Sequence, residues 1–134
     1  MIDTGKIDRI EHIYQEEQRL EEERRNVVAD SEYDVSRLKV VYAITRAKGS
    51  QKGYERGEIR EYFLFVALYV FDPTSIVRKM RRGLRSDLAA MLGIRENNVS
   101  KITKHILFRY RLYKQFRNEV NEIYDEVIEA LKKI

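Results

Sequence analysis

The chain has 134 residues, with 26 basic and 22 acidic residues, one proline and no cysteine. This length suits one domain with a buried core, and the absence of cysteine excludes disulfides and thiolate metal sites. The first six residues lack a signal-peptide pattern, and the longest apolar run, Tyr62–Phe71, is about half as long as a membrane span. We therefore expect a cytoplasmic protein that does not contact a membrane.

Charge is distributed unevenly along the chain. Residues 1–34 hold 5 basic and 11 acidic residues, a net charge of −6. Residues 35–117 hold 19 basic and 6 acidic residues, a net charge of +13, and residues 118–134 return to −3. A basic centre between acidic ends suggests a polyanion partner for the centre and protein contacts for the ends. The alternative is that the acidic arms fold back onto the basic centre.

The first predicted element is a helical arm over residues 1–48. Apolar residues at roughly helical spacing in a highly charged background indicate a long surface helix or a weak coiled coil, so its acidic part is predicted to bind a protein partner. A second helix follows within the arm and carries Val35, Leu38 and Val41. The apolar residues of the first helix are Ile7, Ile10, Ile13, Leu20 and Val27.

A helical core is predicted over residues 58–117. Three glycines within Gly49–Gly57 predict a mobile loop before it, and Glu58–Phe71 is apolar enough to be a buried central helix. Thr74–Arg82 is predicted to be a short basic helix that Gly83 ends. A further short helix and one long final helix, starting at Asn97 or Asn98, complete an all-α fold.

The segment Arg85–Lys104 has the pattern of two helices that cross at a tight turn. Ala89 supplies a small residue at the crossing, and Gly93, four residues later, supplies a position for positive φ. These residues resemble the helix-turn-helix family, which implies that the second helix enters the DNA major groove. Apolar residues occupy the shared core at Leu88, Leu92, Ile94, Val99 and Ile102.

The helix-turn-helix resemblance divides the polar residues into two roles. Arginine can pair with guanine and asparagine with adenine, although one asparagine, Asn97, is expected to serve as the helix N-cap. Basic clusters on either side suit phosphate contacts that fix the register. The predicted base-reading residues are Arg95, Asn97, Asn98, Ser100, Lys101 and Lys104. The predicted phosphate contacts are Arg78, Lys79, Arg81, Arg82, Arg85 and Arg109.

The order of elements over Tyr62–Ile106 also resembles the C-terminal DNA-binding domain of the bacterial replication initiator. The run Gly93-Ile-Arg-Glu-Asn-Asn-Val99 takes the place of the start of that family's reading helix. The resemblance implies binding to double-stranded DNA. It does not extend to initiator function, because the family's usual histidine and paired threonines are missing.

The last predicted element, residues 113–134, is a helical extension with apolar residues at alternating spacings of three and four. This spacing is typical of a coiled coil, so we expect a homodimer. The alternative is that the C-terminal stripe packs on the chain's own N-terminal helix. The C-terminal stripe consists of Tyr113, Phe116, Val120, Ile123, Val127, Ala130 and Ile134.

No catalytic or metal-binding constellation is predicted. The two histidines, His12 and His105, lie in different regions, and we expect neither an enzyme nor a cofactor. The sequence predicts a sequence-specific double-stranded DNA-binding protein, either a transcriptional or a mobile-element regulator. The alternatives are an assembly protein similar to a phage small terminase subunit and, with less support, an RNA-binding module.

Overall fold

The computed structural model describes residues 1–25, 29–77, 80 and 82–134, without the side chains of Arg24, Arg25 and Arg82. These residues form helices and no strand, so the predicted all-α class is confirmed. A short 3₁₀ helix, Pro73–Ile76, follows the third α-helix. The α-helices are α1 (Thr4–Arg25), α2 (Val35–Lys52), α3 (Arg56–Phe71), α4 (Arg82–Leu92), α5 (Glu96–Leu112) and α6 (Lys114–Lys132).

Helix α3 is the centre of the core. Residues 62–68, together with Val70 and Phe71, are buried, which confirms the central helix predicted from the apolar run. Helices α2, α5 and α6 and the 3₁₀ helix all pack against it. A helix that is apolar on nearly every side is stable in water when other elements cover it, and these four elements leave only Tyr69 exposed among residues 62–71.

The predicted glycine-rich loop is largely helical. Helix α2 continues through Gly49, which is buried, and ends at Gly53 with a φ of 71°. A Cβ atom at position 49 would lie 2.9 Å from the Ile59 side chain, so glycine at this position allows α2 and α3 to pack closely. The prediction of a mobile loop was wrong. Three closely spaced glycines are typical of a loop, but Gly49 lies inside α2, where its missing side chain lets α2 and α3 pack closely.

The boundary between the 3₁₀ helix and α4 also differs from the prediction. Of the predicted helix Thr74–Arg82, residues 74–76 belong to the 3₁₀ helix and Arg82 begins α4, while residues 78, 79 and 81 lie outside the described part of the chain. Gly83 does not end a helix, because it lies in the first turn of α4. Glycine is permissive in a helix as well as after one, so its position alone did not fix this boundary.

The predicted final helix is broken into α5 and α6 at Tyr113, whose φ of −107° and ψ of 109° are extended. This break turns α6 back against α2 and α3, and the middle of the C-terminal stripe is buried within the chain. The predicted coiled-coil seam is therefore wrong, and so is its alternative, packing on α1. The buried residues are Phe116, Val120, Ile123 and Val127.

Ion pairs hold α6 to α2. The Lys48 ammonium lies 2.6 Å from a Glu126 carboxylate oxygen, and Lys52 lies 2.8 Å from Glu119. Lys52 also pairs with Glu122. Lys48 is buried, so its charge requires such a partner. The acidic C-terminal segment thus neutralises part of the basic centre, as the alternative interpretation of the charge pattern proposed.

The predicted arm of residues 1–48 contains two unlike helices. Helix α2 belongs to the core, with Leu38 and Val41 fully buried. Helix α1 leaves its apolar residues exposed, including Ile10 and Ile13. Among the described helices, none has both the length and the apolar character that crossing a membrane requires.

The burial of α6 predicts the effect of truncating its stripe. Ile123 is fully buried, so Ile123→Ala should lower the free energy of unfolding by about 2–5 kcal/mol. The matched control is Ile13→Ala, because Ile13 is 57% exposed on α1, and its effect should stay within about 0.5 kcal/mol. Urea unfolding followed by circular dichroism measures both. Equal losses would contradict the described packing of α6.

Tyrosine ionisation should destabilise the fold at high pH. Burial, followed by the nearby Glu58, raises the pKa of Tyr62 to about 12. Burial and a hydrogen bond to Asp30 raise the pKa of Tyr124 to about 12. The unfolded chain ionises near pH 10, before the folded one, so stability should fall as pH rises from about 10 to 12. Urea unfolding at several pH values should show this fall, and Tyr62→Phe should reduce it.

Candidate nucleic-acid interface

Helices α4 and α5 are joined by a three-residue turn that begins at Gly93. Gly93 has a φ of 66°, as the sequence predicts for this position. The Ile94 amide donates a hydrogen bond of 3.1 Å to the Ala89 carbonyl, and the Gly93 amide donates one of 3.3 Å to the Ala90 carbonyl. These two bonds form the glycine-ended helix cap known as a Schellman motif. The backbone therefore fixes the direction in which α5 leaves the turn.

The predicted shared core of α4 and α5 is apolar and enclosed. Leu88, Leu92 and Val99 are buried, and Ala89 is 5% exposed. Ile94 and Ile102 are partly buried against the same core.

A hydrogen bond adds a contact to the middle of α4. The Tyr33 hydroxyl donates to Asp87, and burial together with this bond raises the pKa of Tyr33. Helix α4 is therefore held by the segment before α2 as well as by α5.

The first turn of α5 presents two free asparagines. Arg95 occupies the N-cap position without a side-chain cap, so the expectation that Asn97 caps the helix is wrong. Asn97 and Asn98 are exposed, and within the described part of the chain their side chains make no hydrogen bond. Both amide groups are therefore available to a partner.

The predicted base-reading residues divide between two surfaces. Asn97, Lys101 and Lys104 recur at spacings of four and three and are exposed, so they share one outward face of α5. Asn98 and Arg95 are exposed beside this face. Ser100 is half-buried and lines a cavity, which places it beside the outward face rather than on it.

The cavity beside Ser100 has a volume of about 500 Å³ and lies between α4, α5 and the 3₁₀ helix. Its walls are mainly apolar, with Ile76 and Leu107 among them, and Lys104 and Arg85 contribute the charged groups. The Arg85 Nε atom is buried and has no hydrogen-bond partner among the described residues. The predicted phosphate contact Arg85 therefore lines the same cavity as Ser100 and Lys104 of α5, with its Nε atom buried.

The other predicted phosphate contacts receive little support from the structure. Arg78, Lys79 and Arg81 lie outside the described residues, and so does the side chain of Arg82. Arg109 forms an ion pair of 3.3 Å with Glu61 of α3. Burial raises the pKa of Glu61, and the Arg109 charge opposes this effect. Arg109 is thus partly neutralised within the chain.

Three arginines that sequence reasoning missed line a second cleft. Arg46 of α2 meets Arg56 and Arg60 of α3 around a volume of about 440 Å³, beside Leu92 at the end of α4. Their separation along the chain hides this arrangement, and the net charge of the central region was the one available signal. Basic side chains thus approach the α4–α5 turn from the side of α2 and α3.

No grouping of acidic or histidine residues suited to a metal ion occurs in the described ranges. No family model, curated protein or solved structure matches this chain.

The position of Ala89 predicts a sharp difference between neighbouring alanines. Ala89→Leu should destabilise the fold by about 1–3 kcal/mol, because a larger side chain overpacks an enclosed position. Ala90→Leu is the matched control, since Ala90 is exposed in the same helix, and it should change stability little. Thermal unfolding measures both variants. A larger loss for Ala90→Leu would contradict the packing of α4 against the core.

Proposed function

We propose that this protein binds double-stranded DNA sequence-specifically, with α4 and α5 acting as a helix-turn-helix and α5 entering the major groove. The observation that carries the proposal is the free polar surface at the start of α5. Asn97, Asn98 and Lys101 are exposed and make no described hydrogen bond or ion pair, although they begin a helix anchored in the core. A fixed helix with free amide and ammonium groups suits the reading of base edges.

The charge around α5 supports the same proposal. Lys104 is exposed on the outward face and Arg95 beside it, and the region from residue 35 to 117 carries a net charge of +13. A basic surface attracts the DNA backbone without selecting a sequence, and the amide groups then discriminate between bases. Glu96 adds a negative charge in the first turn. A carboxylate in the major groove can accept a hydrogen bond from a cytosine amino group.

A DNA-binding assembly protein, similar to a small terminase subunit, is the second candidate. The observation that favours it is α1, a helix of 22 residues whose apolar side chains are exposed. A helix without tertiary packing gains stability by pairing with another surface. The proposed homodimer has to use a surface other than the C-terminal stripe. Sedimentation of the free protein distinguishes a dimeric regulator from a ring of many subunits.

Site selection from random duplexes, followed by binding measurements, tests DNA recognition. If about six phosphates are contacted, the logarithm of affinity should fall against the logarithm of salt concentration with a slope of about −5. Asn98→Ala and Lys101→Ala should each weaken the selected site by about 1–3 kcal/mol and relax its sequence preference. Affinity that does not change with salt would exclude this mode of binding.

The controls for DNA recognition are the same substitutions at exposed positions of the C-terminal segment. Asn118→Ala on α6 and Lys133→Ala after its last turn remove the same groups. Neither should alter the sequence preference. If the control substitutions change affinity and sequence preference as much as the α5 substitutions do, α5 is not the reading helix.

A further inference from the structure

The arginine cleft, defined by Arg46, Arg56 and Arg60, brings three positive charges together without a carboxylate among its lining residues. Arg46 comes from the middle of α2, and the other two come from the first two turns of α3. Like charges held together in a cleft raise the local positive potential, and a bound anion relieves their repulsion.

None of the three guanidinium groups forms an ion pair or a hydrogen bond among the described residues. Lysines of the same helix α2 behave differently, because Lys48 and Lys52 are paired with carboxylates of α6. The acidic C-terminal segment therefore neutralises one side of α2 and leaves the arginine cleft charged. Among the described residues, no carboxylate pairs with the guanidinium groups of the arginine cleft.

Part of the arginine cleft is preorganised. The Arg46 guanidinium lies 5.6 Å from the centre of the Tyr42 ring, a distance suited to a cation–π contact. The Tyr42 ring is held in turn by an edge contact with Phe63, at 4.9 Å between ring centres. Phe63 is fully buried, so this chain of contacts connects Arg46 to the core. Less side-chain freedom remains to be lost when a ligand binds.

The chemistry of the arginine cleft favours a phosphate group. Guanidinium groups form paired hydrogen bonds with phosphate oxygens, and several of them can surround one phosphate. Leu92 is the last residue of α4, and it lines the cleft next to the turn that leads into α5. A phosphate in the cleft would therefore lie beside the start of the proposed reading helix.

We propose that the arginine cleft binds a phosphate of the DNA backbone next to the bases that α5 reads. This inference rests on the proposed function, and it adds a contact formed by α2 and α3 to those of α4 and α5. The contact fixes the position of the duplex and does not select its sequence.

The test uses the full chain with the double substitution Arg46→Gln/Arg60→Gln and the duplex obtained by site selection. The variant should bind selected and random duplexes about tenfold more weakly, with an unchanged ratio between them. The slope of affinity against salt should become shallower by about one unit. Phosphate ethylation interference should disappear at a single backbone position flanking the selected bases.

Two matched variants control for charge and geometry. Lys6→Gln/Arg9→Gln removes two positive charges from exposed positions of α1, and it should leave the slope and the interference pattern unchanged. Arg46→Lys/Arg60→Lys keeps the charge but loses the paired hydrogen bonds, so it should retain the slope and lose part of the affinity. Circular dichroism verifies that each variant keeps its helix content.

Three results would overturn the proposal for the arginine cleft. If Arg46→Gln/Arg60→Gln binds DNA like the wild type, the cleft makes no backbone contact and the proposed function stands. Binding of inorganic pyrophosphate is measured for the wild type and the variant as well. If the variant loses pyrophosphate binding while its duplex binding is unchanged, the cleft binds a free anion and not the DNA backbone. If the wild-type protein binds no duplex, the proposed function fails and this inference fails with it.

Discussion

Nine residues of α3 are buried, and a helix that is apolar around its circumference needs partners on every side. Helix α2 covers one side, where Gly49 allows a close approach to Ile59. Helices α5 and α6 and the 3₁₀ helix cover most of the rest, which requires the chain to reverse at Tyr113. The position of α5, and hence the direction of its outward face, follows from the burial of α3.

The same packing arranges the charges. When α6 folds back, its carboxylates form ion pairs with Lys48 and Lys52. These lysines therefore stabilise the fold and are not available to bind a polyanion. Arg109 likewise forms an ion pair with Glu61, which neutralises part of its charge. The basic groups without such partners include the arginine cleft and Lys101 at the start of α5. Ion pairs thus remove part of the net positive charge of residues 35–117, and the described cationic groups that stay unpaired include those beside the α4–α5 turn.

The candidate interface combines a rigid scaffold with unengaged side chains. Buried Leu88 and Val99 and the hydrogen-bonded turn at Gly93 fix α5, whereas Asn97 and Asn98 have no described partner. This division is expected of a binding surface, because a fixed backbone loses little entropy on binding and free polar groups supply specificity.

The sequence by itself determined the features that depend on local chemistry. The apolar run identified the central helix, and the spacing of Ala89 and Gly93 identified the α4–α5 turn, because helix caps and apolar faces are encoded within a few residues. Tertiary structure decided what the C-terminal stripe packs on, since a stripe at helical spacing suits a second chain or the chain's own core equally well. It also brought Arg46 to Arg60. The burial of α3 explains the packing of the stripe, because the neighbouring α2 covers only part of α3 and the distant helices α5 and α6 cover further parts of its surface.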